Sequence, residues 1–389
     1  MGKVFVCPRC GNKDPAFIGV KNGEKYCRRC IGFNGNLVKE EKTEARPVRL
    51  SLAYSLSKEQ KTLSDSIVEN YKNGIDTLVY AVCGSGKTEI SYGVIGYAMS
   101  KGLKVGFALP RRDVVIELYM RLKDAFPGNK IVAVYGQHND VLVGDCIILT
   151  THQLYRYPKY FDLLVMDEID AFPFKGDETL VAFFKASLRG HCVMMSATPS
   201  KAIIKEFSRP GHDMLSLRTR YHKKPIPVPK AAISFGPLKY LLLIKKLREY
   251  KKKGKQCLVF VPSVAQAESL FSFTKWFVPG GNYVSSKRIK RSEIIELFKK
   301  GKYRYLITTA VLERGVTIRD LQVIVFGSDN QIYDSAALIQ IAGRAGRKAD
   351  APKGEVLFLA NQESEGMKDA INEIKYCNTF LQNVSSANS

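Results

Sequence analysis

One short stretch limits the folds open to this chain more than any other. Thr77-Leu78-Val79-Tyr80-Ala81-Val82 is an apolar, β-branched run that stops at Cys83-Gly84-Ser85-Gly86-Lys87-Thr88, after which Glu89 to Ser100 continues as a helix. Strand, Gly-rich loop and helix in that order predict a phosphate cradle at the carboxyl end of a parallel sheet, and therefore an α/β fold. The amides of Gly84, Ser85 and Gly86 would hold phosphate oxygens, Lys87 would reach the β and γ phosphates, and the Thr88 hydroxyl would ligate magnesium. An ordinary Gly-rich turn shares the glycines, so the reading depends on the other parts of a nucleotide site.

Those parts follow. Phe161 to Met166 is a second apolar run, and it delivers Asp167-Glu168-Ile169-Asp170 about 80 residues after Lys87, a distance that suits several βα units. Asp167 is placed to hold Mg2+ through water, and Glu168 to polarise the water that attacks a γ-phosphate. A third run, Cys192 to Met195, ends at Ser196-Ala197-Thr198-Pro199. Upstream, Leu56-Ser57-Lys58-Glu59-Gln60 reads as a helix start, with Ser57 capping and Gln60 at the third position. Pro225-Ile226-Pro227-Val228-Pro229 can be neither interior helix nor central strand, so residues 218–235 read as a connector between a first lobe, 49–217, and a second, 236–389. The second lobe repeats strand-like runs at Gln256 to Val261 and Tyr305 to Ile307, then carries Gln340-Ile341-Ala342-Gly343-Arg344-Ala345-Gly346-Arg347. Two arginines three apart predict one helical face there.

Ahead of both lobes, residues 1–48 hold Cys7-Pro8-Arg9-Cys10 and Cys27-Arg28-Arg29-Cys30. Two C-x-x-C knuckles close a tetrahedral four-thiolate zinc site, which holds together a segment too small for an apolar core. With sulfur at all four positions no coordination place is left for catalytic water, so Zn2+ is predicted to be structural. Across the chain 60 Lys plus Arg face 37 Asp plus Glu, a net +23, which predicts a polyanionic partner: nucleic acid, or an anionic membrane surface. No apolar run approaches the roughly 18 residues of a membrane span. Met1 to Cys10 also lacks the apolar stretch of a secretory signal, so a cytoplasmic location is expected.

Taken together these strings resemble superfamily 2 helicases, which accept Ala81 in place of the first P-loop glycine. The resemblance implies two RecA-like parallel-sheet lobes behind the zinc module and ATP as the nucleotide, with Gln60 on the adenine edge. Ser196 and Thr198 would link the nucleotide and nucleic-acid sites. Gly315 of Thr308 to Thr317 and Gln340 would join the nucleotide contacts, and Arg344 and Arg347 would act as arginine fingers. Arg111, Arg112, Thr150, Thr151, Thr308 and Thr309 would bind backbone phosphates without reading bases.

Along nearly its whole length the chain resembles the ComFA family, through the four-cysteine module ahead of the lobes, Asp167 to Pro173, and Leu312 to Thr317. That resemblance implies a DNA-dependent ATPase drawing single-stranded DNA inward during natural competence, peripheral at the inner face of the membrane, with ComFC and the ComEC channel as partners. The competing readings are a PriA-like replication-restart DNA helicase, an RNA helicase, and a zinc-dependent DNA-binding scaffold with a vestigial ATPase.

Overall fold

The structure is a computed structural model; it describes residues 5–39, 44–52, 54–170, 174, 176–285, 288, 290–309 and 318–386, with side chains as far as 381. Two compact units result, one of Met1–Ala81 with Gly86–Leu217 and one of Val82–Ser85 with Arg218–Ser389.

The first unit opens with a hairpin, β1 (Ile18–Lys21) and β2 (Glu24–Cys27), that carries the second knuckle. Then follow α1 (Lys58–Lys72), β3 (Asp76–Ala81), α2 (Lys87–Ile90), α3 (Tyr92–Ser100), β4 (Val105–Leu109), α4 (Arg112–Ala125), β5 (Ile131–Val134), β6 (Cys146–Thr150), β7 (Phe161–Asp167), α5 (Glu178–Ser187), β8 (Leu188–Ser196), α6 (Lys201–Phe207) and β9 (His212–Leu217). Seven of these strands form a parallel sheet in the order β5-β6-β4-β7-β8-β3-β9. Helices cover both faces, which is why β4 and β6 are buried at every residue and read as unbroken apolar runs.

The second unit contains β10 (Lys230–Ile233), α7 (Pro237–Lys252), β11 (Cys257–Val261), α8 (Val264–Phe277), β12 (Gly281–Val284), α9 (Arg291–Lys299), β13 (Tyr305–Thr309), β14 (Gln322–Phe326), α10 (Ser335–Ala342), β15 (Val356–Ala360) and α11 (Glu365–Ser386). Its sheet is also parallel, in the order β10-β15-β14-β11-β13-β12. The stretch read as a connector therefore gives Lys230–Ile233 to this sheet as an edge strand. The tail is α11, whose Met367, Ala370, Ile374 and Cys377 enter the core with Leu338 and Ile341 of α10. Asn378 on α11 also clasps the Pro-rich stretch: its Oδ1 accepts from Ile226 N at 2.8 Å and its Nδ2 donates to Ile226 O at 2.9 Å.

Candidate functional site

In the first sheet β7, β8 and β3 are neighbours, with Asp167 opposite Met195 and Tyr80 opposite Ser196. Parallel pairing puts their carboxyl ends on one edge, so the P-loop, Asp167-Glu168 and Ser196-Ala197-Thr198 leave the sheet side by side. This is the position where α/β sheets bind ligands.

Local chemistry shapes each part. Gly84 and Gly86 have φ of +84° and +81°, which turns the loop so that Gly86 caps α2. Lys87 Nζ donates to Ala81 O at 3.0 Å, folding the side chain over the loop. Gln60 is buried and completes a capping box, donating its N to Ser57 Oγ at 3.2 Å while its Oε1 accepts from Ser57 N at 2.8 Å. The other end of its amide, Nε2, fills the space a side chain at Gly86 would need. The cap and the contact with the nucleotide loop are thus properties of one residue.

At the Asp167 end, Glu168 adopts φ +60°, a costly conformation for a side chain of this kind, and donates its N to Asp167 Oδ1 at 2.8 Å. Burial pushes the Asp167 carboxyl up to about 6; the Glu168 charge adds to the rise and Lys87 opposes it. A divalent cation offsets that repulsion, so this carboxylate pair suits Mg2+.

Sequence reasoning did not assign Asp170 a part. Its Oδ1 accepts from Ser196 Oγ at 2.9 Å and its Oδ2 from Thr198 Oγ1 at 2.5 Å, while Thr198 N donates to Ser196 Oγ at 2.9 Å. The two hydroxyls are thereby bound to the segment that carries Asp167 and Glu168.

The other half of the same sheet edge carries the candidate nucleic-acid residues. Arg111 and Arg112 follow β4; Thr150 closes β6 and Thr151 follows it. Arg111 pairs with Asp113 at 3.3 Å; Arg112 is exposed, its guanidinium 5.0 Å from the centre of the Tyr135 ring, which stacks on His138 at 4.9 Å. Tyr135 and His138 follow the end of β5, and this stacked set was missed because no motif marks it. Thr150 and Thr151 are buried, with the Thr151 hydroxyl lacking a partner. In the second unit Thr308 and Thr309 end β13 and are buried too. Gly315, with the rest of 310–317, lies outside the described residues.

The arginine string is not one helical face. α10 ends at Ala342, Gly343 caps it, and Gly343 to Gly346 form a turn in which Gly346 has φ +60°. A Cβ at Gly346 would collide with Pro352 O, so only glycine fits. Gln340 stays on the helix, and Arg344 and Arg347 belong to the turn and its exit.

At the amino terminus the four thiols gather: Cys7 Sγ to Cys30 Sγ is 3.6 Å, Cys10 Sγ to Cys27 Sγ is 3.7 Å, and all four sulfurs lie within 4.8 Å of one another. Zinc–sulfur bonds of about 2.3 Å give tetrahedral edges of about 3.8 Å, so the set fits zinc. Burial pushes the Cys10 thiol up to about 11 and that of Cys30 higher still. The module is docked on α5 and on the helical turn that follows β6. Phe33 packs edge-on against Phe183 (4.9 Å) and Tyr155 (5.5 Å), and buried Arg156 donates to Asn36 O at 3.0 Å.

Comparison with known proteins agrees with this geometry. Residues 59–207 match the DEAD/DEAH box helicase family, and 238–349 match the helicase conserved C-terminal domain. The chain is 34% identical over 404 residues to the competence protein ComFA of Bacillus subtilis (strain 168), covering 98% of this chain and 87% of that one. Its identity to ComFA of Streptococcus pneumoniae (strain ATCC BAA-255 / R6) is 31% over 396 residues, covering 97% and 91%. The solved structure of S. cerevisiae Dbp5 bound to RNA and ADP BeF3 shares the fold, with a TM-score of 0.62 over 83% of this chain and 92% of that one at 16% identity. With the nucleotide-site parts side by side in a RecA-like sheet and the likeness running the length of the chain, the protein belongs to the ComFA family of ATP-dependent superfamily 2 helicases.

Proposed function

We propose that the protein is an ATP-driven motor on single-stranded DNA that draws transforming DNA inward during natural competence. The observation that carries the chemical part is the adjacency of β7, β8 and β3, which gathers Lys87, Asp167, Glu168 and Ser196 at one sheet edge. Gly84, Ser85, Gly86 and Lys87 hold the ATP phosphates, Thr88 and Asp167 hold Mg2+, and Gln60 borders the adenine. Mg2+ held there would neutralise charge on the phosphates. Glu168 orients and deprotonates the attacking water. Arg344 and Arg347 stabilise charge on the γ-phosphate as the bond breaks, and Gln340 contributes to the nucleotide contacts, a role the superfamily likeness also gives to Gly315.

DNA lies along the other half of the edge, on Arg111, Arg112, Thr150 and Thr151; Thr308 and Thr309 of the second unit are likewise phosphate contacts. Phosphate contacts and the stacked Arg112–Tyr135–His138 set suit a strand held without base readout. Asp170 with Ser196 and Thr198 carries the state of one site to the other. Zinc on Cys7, Cys10, Cys27 and Cys30 keeps the docked module folded. Uptake itself, the partners ComFC and the ComEC channel, and a place at the inner membrane face rest on the ComFA likeness; among the described residues no helix is long and apolar enough to cross a membrane.

The test is ATP-driven displacement of streptavidin from end-biotinylated oligonucleotides. Displacement from single-stranded DNA, but not from RNA, supports the motor. Displacement from RNA alone moves the reading to an RNA helicase, and ATP turnover without displacement from either refutes translocation.

A further inference from the structure

We infer that Arg220 is a positioning residue that holds the arginine turn of the second unit in its working shape. The inference rests on the reading of Arg344 and Arg347 as γ-phosphate contacts.

Arg220 lies in the basic stretch that precedes the prolines, where a solvated side chain is expected, yet it is 1% exposed. Its guanidinium meets three carbonyls of one turn: Nη1 donates to Ala345 O at 3.0 Å and to Gly346 O at 2.7 Å, and Nη2 donates to Gly343 O at 2.9 Å. Two of these oxygens belong to the peptide units that lead directly into Arg344 and Arg347. The third lies between them. One planar side chain therefore fixes the backbone from which both candidate fingers project.

The carbonyls need such a partner. They lie in the buried turn past the end of α10, outside its hydrogen-bond ladder, and a buried carbonyl without a donor is costly. Backbone oxygens are the whole of its anchoring: no carboxylate pairs with Arg220 among the described residues, and its Nε has no partner. Burial holds its pKa down to about 10, and the nearby Arg347 charge adds to the fall, so the group stays charged at neutral pH at a cost in solvation. A buried cation held only by backbone oxygens adds little net stability for that cost, whereas its fork geometry specifies a shape. The turn is closed from behind as well, because Pro352 O occupies the space beside Gly346, and Leu321 O, the Ala345 Cβ and Gly346 N surround Gly354.

The test compares Arg220→Gln, Arg220→Lys, Arg344→Ala and the Arg220→Gln, Arg344→Ala pair for kcat, KM for ATP, affinity for a fluorescent ATP analogue, and melting temperature. A group acting through the fingers lowers kcat, roughly 10- to 100-fold as for misplacement of a catalytic group by about 1 Å, and leaves KM and analogue affinity within about threefold. Arg220→Lys, which keeps the charge and loses the fork, should recover part of the rate. In the pair, Arg220→Gln should add less than about threefold to the loss caused by Arg344→Ala. The inference is overturned if Arg220→Gln keeps the wild-type kcat, if the two losses multiply, or if nucleotide affinity falls in step with melting temperature. A wild-type protein that binds but does not hydrolyse ATP would refute the reading of the site itself, and this inference with it.

Discussion

Removing the Asp170 carboxylate should separate ATP hydrolysis from its stimulation by DNA. In Asp170→Ala, Ser196 Oγ and Thr198 Oγ1 both lose their carboxyl acceptor. Ser196 is fully buried, so its stranded hydroxyl costs about 1–3 kcal/mol, while Thr198 is half-exposed and turns to water at about 0.5–1 kcal/mol. The sum is about 1.5–4 kcal/mol, which lowers the melting temperature by several degrees. Asp170 also raises the Asp167 carboxyl, though less than burial and Glu168 do, so the magnesium site should change little. If about 2 kcal/mol of that network differs between the DNA-free and DNA-bound states, stimulation falls by about 30-fold, at 1.36 kcal/mol per tenfold in rate. The assay is steady-state ATP hydrolysis across a titration of single-stranded DNA. Basal turnover should stay within about threefold while the stimulated rate collapses towards it, with Asp170→Asn, which keeps one acceptor oxygen, in between. A protein that melts lower but is stimulated as strongly as wild type would refute coupling through Asp170 and leave it a structural residue.

Other outcomes follow from the same geometry. Because the Asp167 carboxyl is raised to about 6, a proton competes with Mg2+ from there downwards: the Mg2+ concentration for half-maximal activity should be flat above pH 7 and rise towards tenfold per pH unit below 6, as a magnesium titration at several pH values reads out. Gly346→Ala combines φ +60° with a blocked Cβ, so it should destabilise the protein by about 2–4 kcal/mol in a chemical denaturation measurement. Cys7→Ser should abolish bound zinc by metal analysis and weaken DNA binding while leaving basal hydrolysis within about twofold, since no part of the nucleotide site lies in the module. Arg112→Ala and Tyr135→Ala should each weaken single-stranded DNA affinity by about fivefold or more in fluorescence anisotropy, with ATP affinity unchanged.

Lys87, Asp167 and Ser196 can be read from the sequence because each stands just past an apolar run, and a parallel sheet brings such ends to one edge whatever the order of its strands. The cysteine pairs are legible for a similar reason, their chemistry being packed into two short knuckles. Asp170 stands in plain view three residues after Asp167, but its partners, Ser196 and Thr198, are 26 and 28 residues away and meet it only once β7 and β8 pair. Arg220 is harder still: its spacing from Gly343 to Gly346 carries no period, and Lys223 and Lys224 of the same basic stretch are exposed. At Gly343 to Gly346 the helical reading of Arg344 and Arg347 failed because the two glycines outweigh the spacing, one capping α10 and the other reversing the chain. The prolines at 225–229 marked a break in regular structure, but the four residues that follow at 230–233 find a sheet edge at β15 that no local signal announces.

The central claim is that this sheet edge hydrolyses ATP and that single-stranded DNA drives it. The direct measurement is ATP hydrolysis by the purified protein, with and without single-stranded DNA, beside Glu168→Gln. The account predicts clear stimulation by single-stranded DNA and a loss of at least about 100-fold in the variant, which still binds nucleotide. Equal hydrolysis by wild type and variant, or none by wild type at any DNA concentration, would contradict it.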